Sequence, residues 1–148
     1  MHPRLSFATK PFDALTPREL HDLLQLRSQV FVVEQECVYL DVDGRDPASH
    51  HLMGTNGSRL LTCARWYWEG PQVVVGRIVT HPEARGRGYG RLTVEEALKG
   101  IGGASVRLHG QAHLETFYRD LGFETRGEPF DEDGIPHLLM IRPAPEPL

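Results

Sequence analysis

A chain of 148 residues, 40% hydrophobic and 24% charged, has the size and composition of one globular domain, expected over 1–148. A net charge of -4 argues against a general nucleic-acid binder, and no apolar run approaches the roughly 18 residues that span a bilayer. The first nine residues lack the apolar core of a secretory leader, and the two cysteines, Cys37 and Cys63, form no CxxC pair, so a reduced cytoplasmic protein is expected.

In chain order, Thr16-Pro17-Arg18-Glu19 is a capping box with proline at the first helical position. Leu20, Leu23, Leu24 and Phe31 follow helical spacing behind it, which predicts a helix over 17–30. An irregular acidic loop follows, and then two strands, HHLMGTNG and RLLTCARWYWEG, with a turn predicted at Asn56-Gly57. PQVVVGRIVT is too apolar to face water on one side and reads as a central strand. Val94, Ala97, Leu98 and Ile101 form a helical stripe ended by Gly102-Gly103. ASVRLH is a short strand, and Leu114, Phe117, Tyr118 and Leu121 make a third helical stripe stopped at Gly122. FETRGEPF and HLLMIRP close the chain as a hairpin around Asp133-Gly134, before a proline-rich tail, 143–147, that reads as frayed. Alternating elements with hairpins at both ends predict an α/β (α+β) domain with a mixed sheet.

Between the central strand and the second helix stands Arg85-Gly86-Arg87-Gly88-Tyr89-Gly90. Glycine loses more conformational freedom on folding than any other residue, so three at alternate positions need a reason. Free amides and the positive end of a helix dipole converge there, with Arg85, Arg87 and Arg91 adding charge: a cradle for pyrophosphate. No Gly-Lys-Ser/Thr triplet makes it a Walker loop, and the Rossmann spacing fails because Arg91 stands at the sixth position.

Arg-x-x-Gly-x-Gly, met as Arg85, Gly88 and Gly90 after Thr80-His81-Pro82, resembles the acetyl-CoA loop of the GCN5-related N-acetyltransferases (GNAT). QAHLETFYRDLGFE, with Phe117-Tyr118 and Gly122-Phe123, resembles a later helix of the same family. The stretches QVFVVEQECVYLDVDGRDPASHHL and FDEDGIPHLLM look like its ElaA branch, so the likeness runs over about residues 5 to 142. It implies a GNAT fold in which two parallel central strands part like a V and the pantetheine arm lies along an exposed strand edge. That edge would be the backbone of Ile78, Val79 and Thr80. Pyrophosphate would rest on Arg85, Gly86, Arg87, Gly88, Tyr89 and Gly90, and Gln111 would touch the cofactor where the family often has asparagine.

The implied activity is acetyl transfer from acetyl-CoA to a primary amine, on a small molecule or a peptide. Tyr118 becomes the candidate acid toward the departing thiolate, although its place in an apolar stripe also suits a core tyrosine. For the base, the acidic loop supplies Glu34, Glu36, Asp41, Asp43 and Asp46, then His50 and His51. Glu34 is preferred because it follows an apolar run, with Asp131, Glu132, Asp133 and His137 as rivals. Asp41, Asp43 and His50 are expected to bind the cationic acceptor. His50-His51, His109 and His113 lack zinc-site spacing, so no metal is expected. Three other readings remain. One is an acyl-homoserine-lactone synthase, which generally lacks the glycine loop. Another is an acyl-CoA sensor without turnover, and the last, a nucleic-acid-binding arginine-glycine box, fails because such boxes sit in disordered repeats while this run is single and opens a helix. Monomer and homodimer are both open.

Overall fold

The computed structural model describes residues 5–145; the last two residues of the proline-rich tail, Glu146 and Pro147, lie outside it. Its described residues form one seven-stranded mixed sheet in the order β1-β2-β3-β4-β5-β7-β6, with β4 in the middle as the apolar sequence requires. The strands are β1 (Ser6–Pro11), β2 (His50–Asn56), β3 (Arg59–Glu69), β4 (Gln72–Thr80), β5 (Val106–Gln111), β6 (Glu124–Glu132) and β7 (Ile135–Arg142). β1 pairs along the whole of β2 and was not foreseen, because SFATKP carries neither alternation nor flanking turn signals. The β2–β3 hairpin pairs Asn56 with Arg59, so its turn lies at Gly57-Ser58, one position later than predicted.

Helix α1 (Pro17–Arg27) opens with the predicted capping box, both reciprocal hydrogen bonds present. It does not run on as α-helix to residue 30. Ser28–Glu34 continues as π-helix, with Gln35 N donating to Val30 O and Cys37 N to Val32 O. Such i→i+5 turns widen a helix and are frequent at functional sites. Here the wide turn buries Val30 and delivers Phe31 and Glu34 to the edge of a cleft. α2 (Tyr89–Ile101) and a short α3 (Glu115–Arg119) lie on the other side of the sheet.

Two cores result. On the α1 face, Leu23, Leu26 and Val30 pack on Met53, Cys63 and Val79. On the α2 and α3 face, Trp66, Val73, Val75, Val106, Leu108 and Tyr118 pack with Val94 and Ile101. What positions the site is the seam between β4 and β5. They pair in parallel only at Val73–Val106 and Val74–Arg107, and beyond that they separate. β4 also carries a bulge, since Cys63 faces Val79 and Arg65 faces Gly76, leaving Ala64 opposite both Arg77 and Ile78. Arg77 holds φ of 50° there, a conformation that costs a non-glycine residue about 1–3 kcal/mol.

Candidate active site

The parted strands enclose a cleft of about 1280 Å³, whose wall includes Ile78, Val79, Thr80, Gly90, Gln111 and Tyr118. Beyond Val74 the β5-facing edge of β4 has no strand partner, so its backbone is open to an extended ligand. At the mouth the chain crosses the glycine run. Gly86 and Gly88 hold φ of 80° and 77°, and Gly88 is the N-cap of α2 with no side chain capping the helix. A Cβ at either would stand in open space, so packing does not ask for glycine; the left-handed backbone does. The outcome is a helix N-terminus with no side-chain cap, the kind of end that suits an anion.

The flanking side chains behave differently from expectation. Tyr89 is buried beside Leu61 and Ala84, so its contribution to a cradle is main-chain only. Arg91 pairs with Glu95 at 2.8 Å along α2, while Arg87 is exposed. The Arg85 guanidinium donates to both oxygens of Glu34, at 3.1 and 2.7 Å, and its Nε to Thr80 O at 3.3 Å. Glu34, favoured above as the base, is the counterion of Arg85, both its carboxylate oxygens accepting from that guanidinium.

The acidic loop differs most. Arg27, 1% exposed, donates to Asp41 Oδ2 at 3.1 Å and Asp46 Oδ1 at 2.8 Å. Arg65 donates to Asp43 at 2.9 and 2.6 Å and to Asp46 at 2.9 Å. Arg77 lies 2.8 Å from Asp41 with its guanidinium over the Tyr39 ring, and Tyr39 donates its hydroxyl to Asp41. Three aspartates and three arginines thus neutralise each other across the loop, α1, β3 and β4. Asp41 is buried and saturated rather than turned to an amine, and only Asp43, partly exposed, reaches the cleft wall. The network also pins the strained Arg77 bulge. His50 lies elsewhere: its ring stacks on Trp66 with centroids 4.0 Å apart and does not line the cleft.

These pairs set the response to acid. Burial alone would raise the pKa of Asp43 and Asp46, yet the hydrogen bonds and charge of Arg65 and Arg27 overcome it and hold both below the usual carboxylate range. Burial lowers His51, whose ring bonds Asp46 O. Depressed folded pKa values favour the native state above the unfolded values and lose that contribution as pH falls. The melting temperature is therefore expected to decline first below about pH 6.5, as His51 must bind a proton on unfolding, and more steeply below about pH 4 as the aspartates do. Calorimetry from pH 8 to 3 checks this, and a flat curve across that range would contradict it.

Tyr118 stands where β5 allows it. Its ring lies against Gly110, where a Cβ would come within 3.0 Å of Tyr118 Cδ2 and Cε2, and it meets Phe117 and Phe123 edge-on. Burial pushes its phenol up to about 12. The tyrosine is thus both core residue and cleft wall. On the opposite face of β5, Arg107, His109 and Gln111 alternate with Val106, Leu108 and Gly110. His109 Nδ1 lies 3.0 Å from Glu132 Oε1, and Glu132 Oε2 lies 3.5 Å from His137 Nε2, all three on the cleft wall. Sequence reading had weighed Glu132 and His137 as bases and His109 only as a metal ligand. The period-2 alternation of β5 was the signal that sets His109 on this face. Among the described residues no group of three or more His, Cys, Asp or Glu is placed to hold a metal ion. No helix among them is long and apolar enough to cross a membrane. Both cysteines are buried free thiols, and burial pushes Cys63 up to about 12.

Residues 22–142 match the model of the acetyltransferase (GNAT) domain family. The chain is similar to the UPF0039 protein sll0451 of Synechocystis, 37% identical over 95% of this chain and 97% of that one. A solved acyl-CoA N-acyltransferase from Pseudomonas aeruginosa superposes with a TM-score of 0.90 at 41% identity, covering 93% and 99% of the two chains. Escherichia coli ElaA superposes at 0.88 with 34% identity over 93% and 99%.

Proposed function

The chain belongs to the GNAT acetyltransferase family, and from that premise we propose that it moves an acetyl group from acetyl-CoA to a primary amine. One observation carries the reading: the seam that opens between β4 and β5 runs out at α2, a helix whose N-cap Gly88 supplies no side-chain cap. Pantetheine fits a free strand edge, as another strand would, and a diphosphate fits the positive end of a helix. The backbone of Ile78 to Thr80 is the proposed rail, with Gly86, Gly88 and Gly90 the proposed seat. Gln111 lines the far wall of the same cleft. Arg85 is proposed to orient the loop through Thr80 and Glu34, leaving Arg87 as the cation facing the phosphates.

Two proton transfers govern the chemistry. A lysine-like ammonium at pH 7 costs about 4.6 kcal/mol to deprotonate. The tetrahedral intermediate must then lose a thiolate. With its phenol near 12 and a thiol near 8.5, complete transfer from Tyr118 to sulfur is uphill by about 5 kcal/mol. The proposed role is accordingly narrower than a full acid: the O–H donates a hydrogen bond to the developing thiolate, which takes its proton from water. Tyr118→Phe is expected to lower kcat by about 100-fold, the scale for losing one preorganised donor, with acetyl-CoA affinity nearly unchanged. Stopped kinetics alongside binding calorimetry check it; an unchanged kcat would return Tyr118 to the core.

The test of the proposal is an amine panel with acetyl-CoA, followed by free thiol release and by product mass. Thiol released one-for-one with acetylated amine is the expected result. Thermal stabilisation by acetyl-CoA with no thiol from any amine would favour a sensor that binds without turnover.

A further inference from the structure

Glu34, the preferred base, is paired with Arg85, and among the other groups on the cleft wall the geometry points to His109. We propose that His109, oriented by Glu132 and backed by His137, accepts the proton of the incoming amine. The inference rests on the acetyl-transfer reading above and identifies the base for it.

The tautomers follow from the partners. An ionised carboxylate only accepts, so at 3.0 Å from Glu132 Oε1 the His109 Nδ1 must carry the hydrogen. Its Nε2 then presents a lone pair, and the His109 side chain is 47% exposed at the cleft wall. His137, 8% exposed, donates Nδ1–H to Ile135 O at 2.7 Å, and its Nε2 lies 3.5 Å from the second oxygen of Glu132, a contact that is a hydrogen bond only when that nitrogen carries a proton too. Phe130 packs against both rings, edge-on to His109 and stacked near His137, and fixes their planes. A carboxylate that fixes the tautomer of an imidazole and stabilises its cation is the arrangement that makes histidine a base. The structural alternative, a staple between β5, β6 and β7, explains the buried His137 but not an exposed imidazole with an unengaged nitrogen. Tyr118 reaches the seam from the opposite face of β5, so donor and acceptor of protons flank it.

The protons balance. His109 Nε2 takes one from R–NH3+, and the neutral amine attacks the thioester carbon. A C–N bond forms, the C–S bond breaks, and the thiolate leaves on the Tyr118 hydrogen bond. The nitrogen sheds its second proton to solvent, the thiolate takes one from solvent, and His109 returns its own. One proton is released overall.

The imidazole contacts Glu132, and the charged and titratable groups that share the cleft wall with it include Asp133 of the β6–β7 hairpin, His137 of β7, His113 after β5, Arg107 on its own strand and Arg77 of β4. The experiment compares wild type, His109→Gln and Glu132→Gln with acetyl-CoA and three acceptors: an alkylamine, Nα-acetyl-lysine and a dipeptide. Melting temperatures alone and with acetyl-CoA come first. His109→Gln is expected to keep both and to lose about 100-fold in kcat at pH 7 with the alkylamine and the lysine side chain, the deficit shrinking as pH approaches their own pKa near 10 and being smaller for the dipeptide, whose α-amine has a pKa of about 8. Glu132→Gln, a positioning change, is expected to lose less, in kcat and not in KM, with its deficit shrinking in the same way as pH approaches the pKa of the free amine. Wild-type turnover in His109→Gln at pH 7, or a deficit equal at every pH, would overturn the base while leaving acetyl transfer standing. A wild type that binds acetyl-CoA and acetylates none of the three would overturn both.

Discussion

Replacing Gly88 by valine is expected to weaken acetyl-CoA binding by at least 100-fold. Two effects contribute, and they are separable. Gly88 caps α2 at φ of 77°, where a β-branched residue is strained by about 1–3 kcal/mol. A side chain there also projects into the open space over the helix amides, where the diphosphate would approach. Asparagine tolerates the left-handed backbone, so Gly88→Asn removes most of the strain and keeps the obstruction. Both variants should lose coenzyme affinity by calorimetry, and only the valine should also lose several degrees in melting temperature. Full affinity in the asparagine variant would remove the helix terminus from the proposal.

The second large effect is on stability. Arg27→Ala removes a 1%-exposed guanidinium and leaves the Asp41 and Asp46 carboxylates buried with one partner fewer. Breaking a buried ion pair from one side costs about 3–5 kcal/mol, which at this chain length is roughly 10–15 °C in melting temperature. The effect should pass beyond stability, because Asp41 also grips Arg77 at the β4 bulge that opens the seam. Acetyl-CoA affinity in Arg27→Ala is therefore expected to fall even at temperatures where the variant remains folded. A loss under 1 kcal/mol would mean the network is not what holds the loop.

Local signals were legible in the sequence. The capping box at Thr16, the stripe from Val94 to Ile101, the closing hairpin at Asp133-Gly134 and the apolar run of β4 each depend on residues a few positions apart. Non-local ones were not. The aspartates of the acidic loop read as a solvated surface because their partners, Arg27, Arg65 and Arg77, are separated from them by 14 to 36 positions. Nothing in spacing says that three carboxylates and three guanidiniums will meet, with Arg27, Arg65, Asp41 and Asp46 buried. The same holds for Glu34 and Arg85, 51 residues apart. His50 is intermediate: the β2–β3 register sets it opposite Trp66, which follows only once that register is known. The π-turn after Arg27 has no marker in composition, since Ser28–Glu34 carries neither proline nor glycine.

Acetyl transfer by this chain requires a thioester lying in the seam between β4 and β5, and a crystal structure with acetyl-CoA bound measures that directly. The expected density has diphosphate at the amides after Gly88, pantetheine beside Ile78 to Thr80, and the sulfur within hydrogen-bonding reach of Tyr118. Coenzyme bound elsewhere on the chain, with β4 and β5 drawn together, would contradict it.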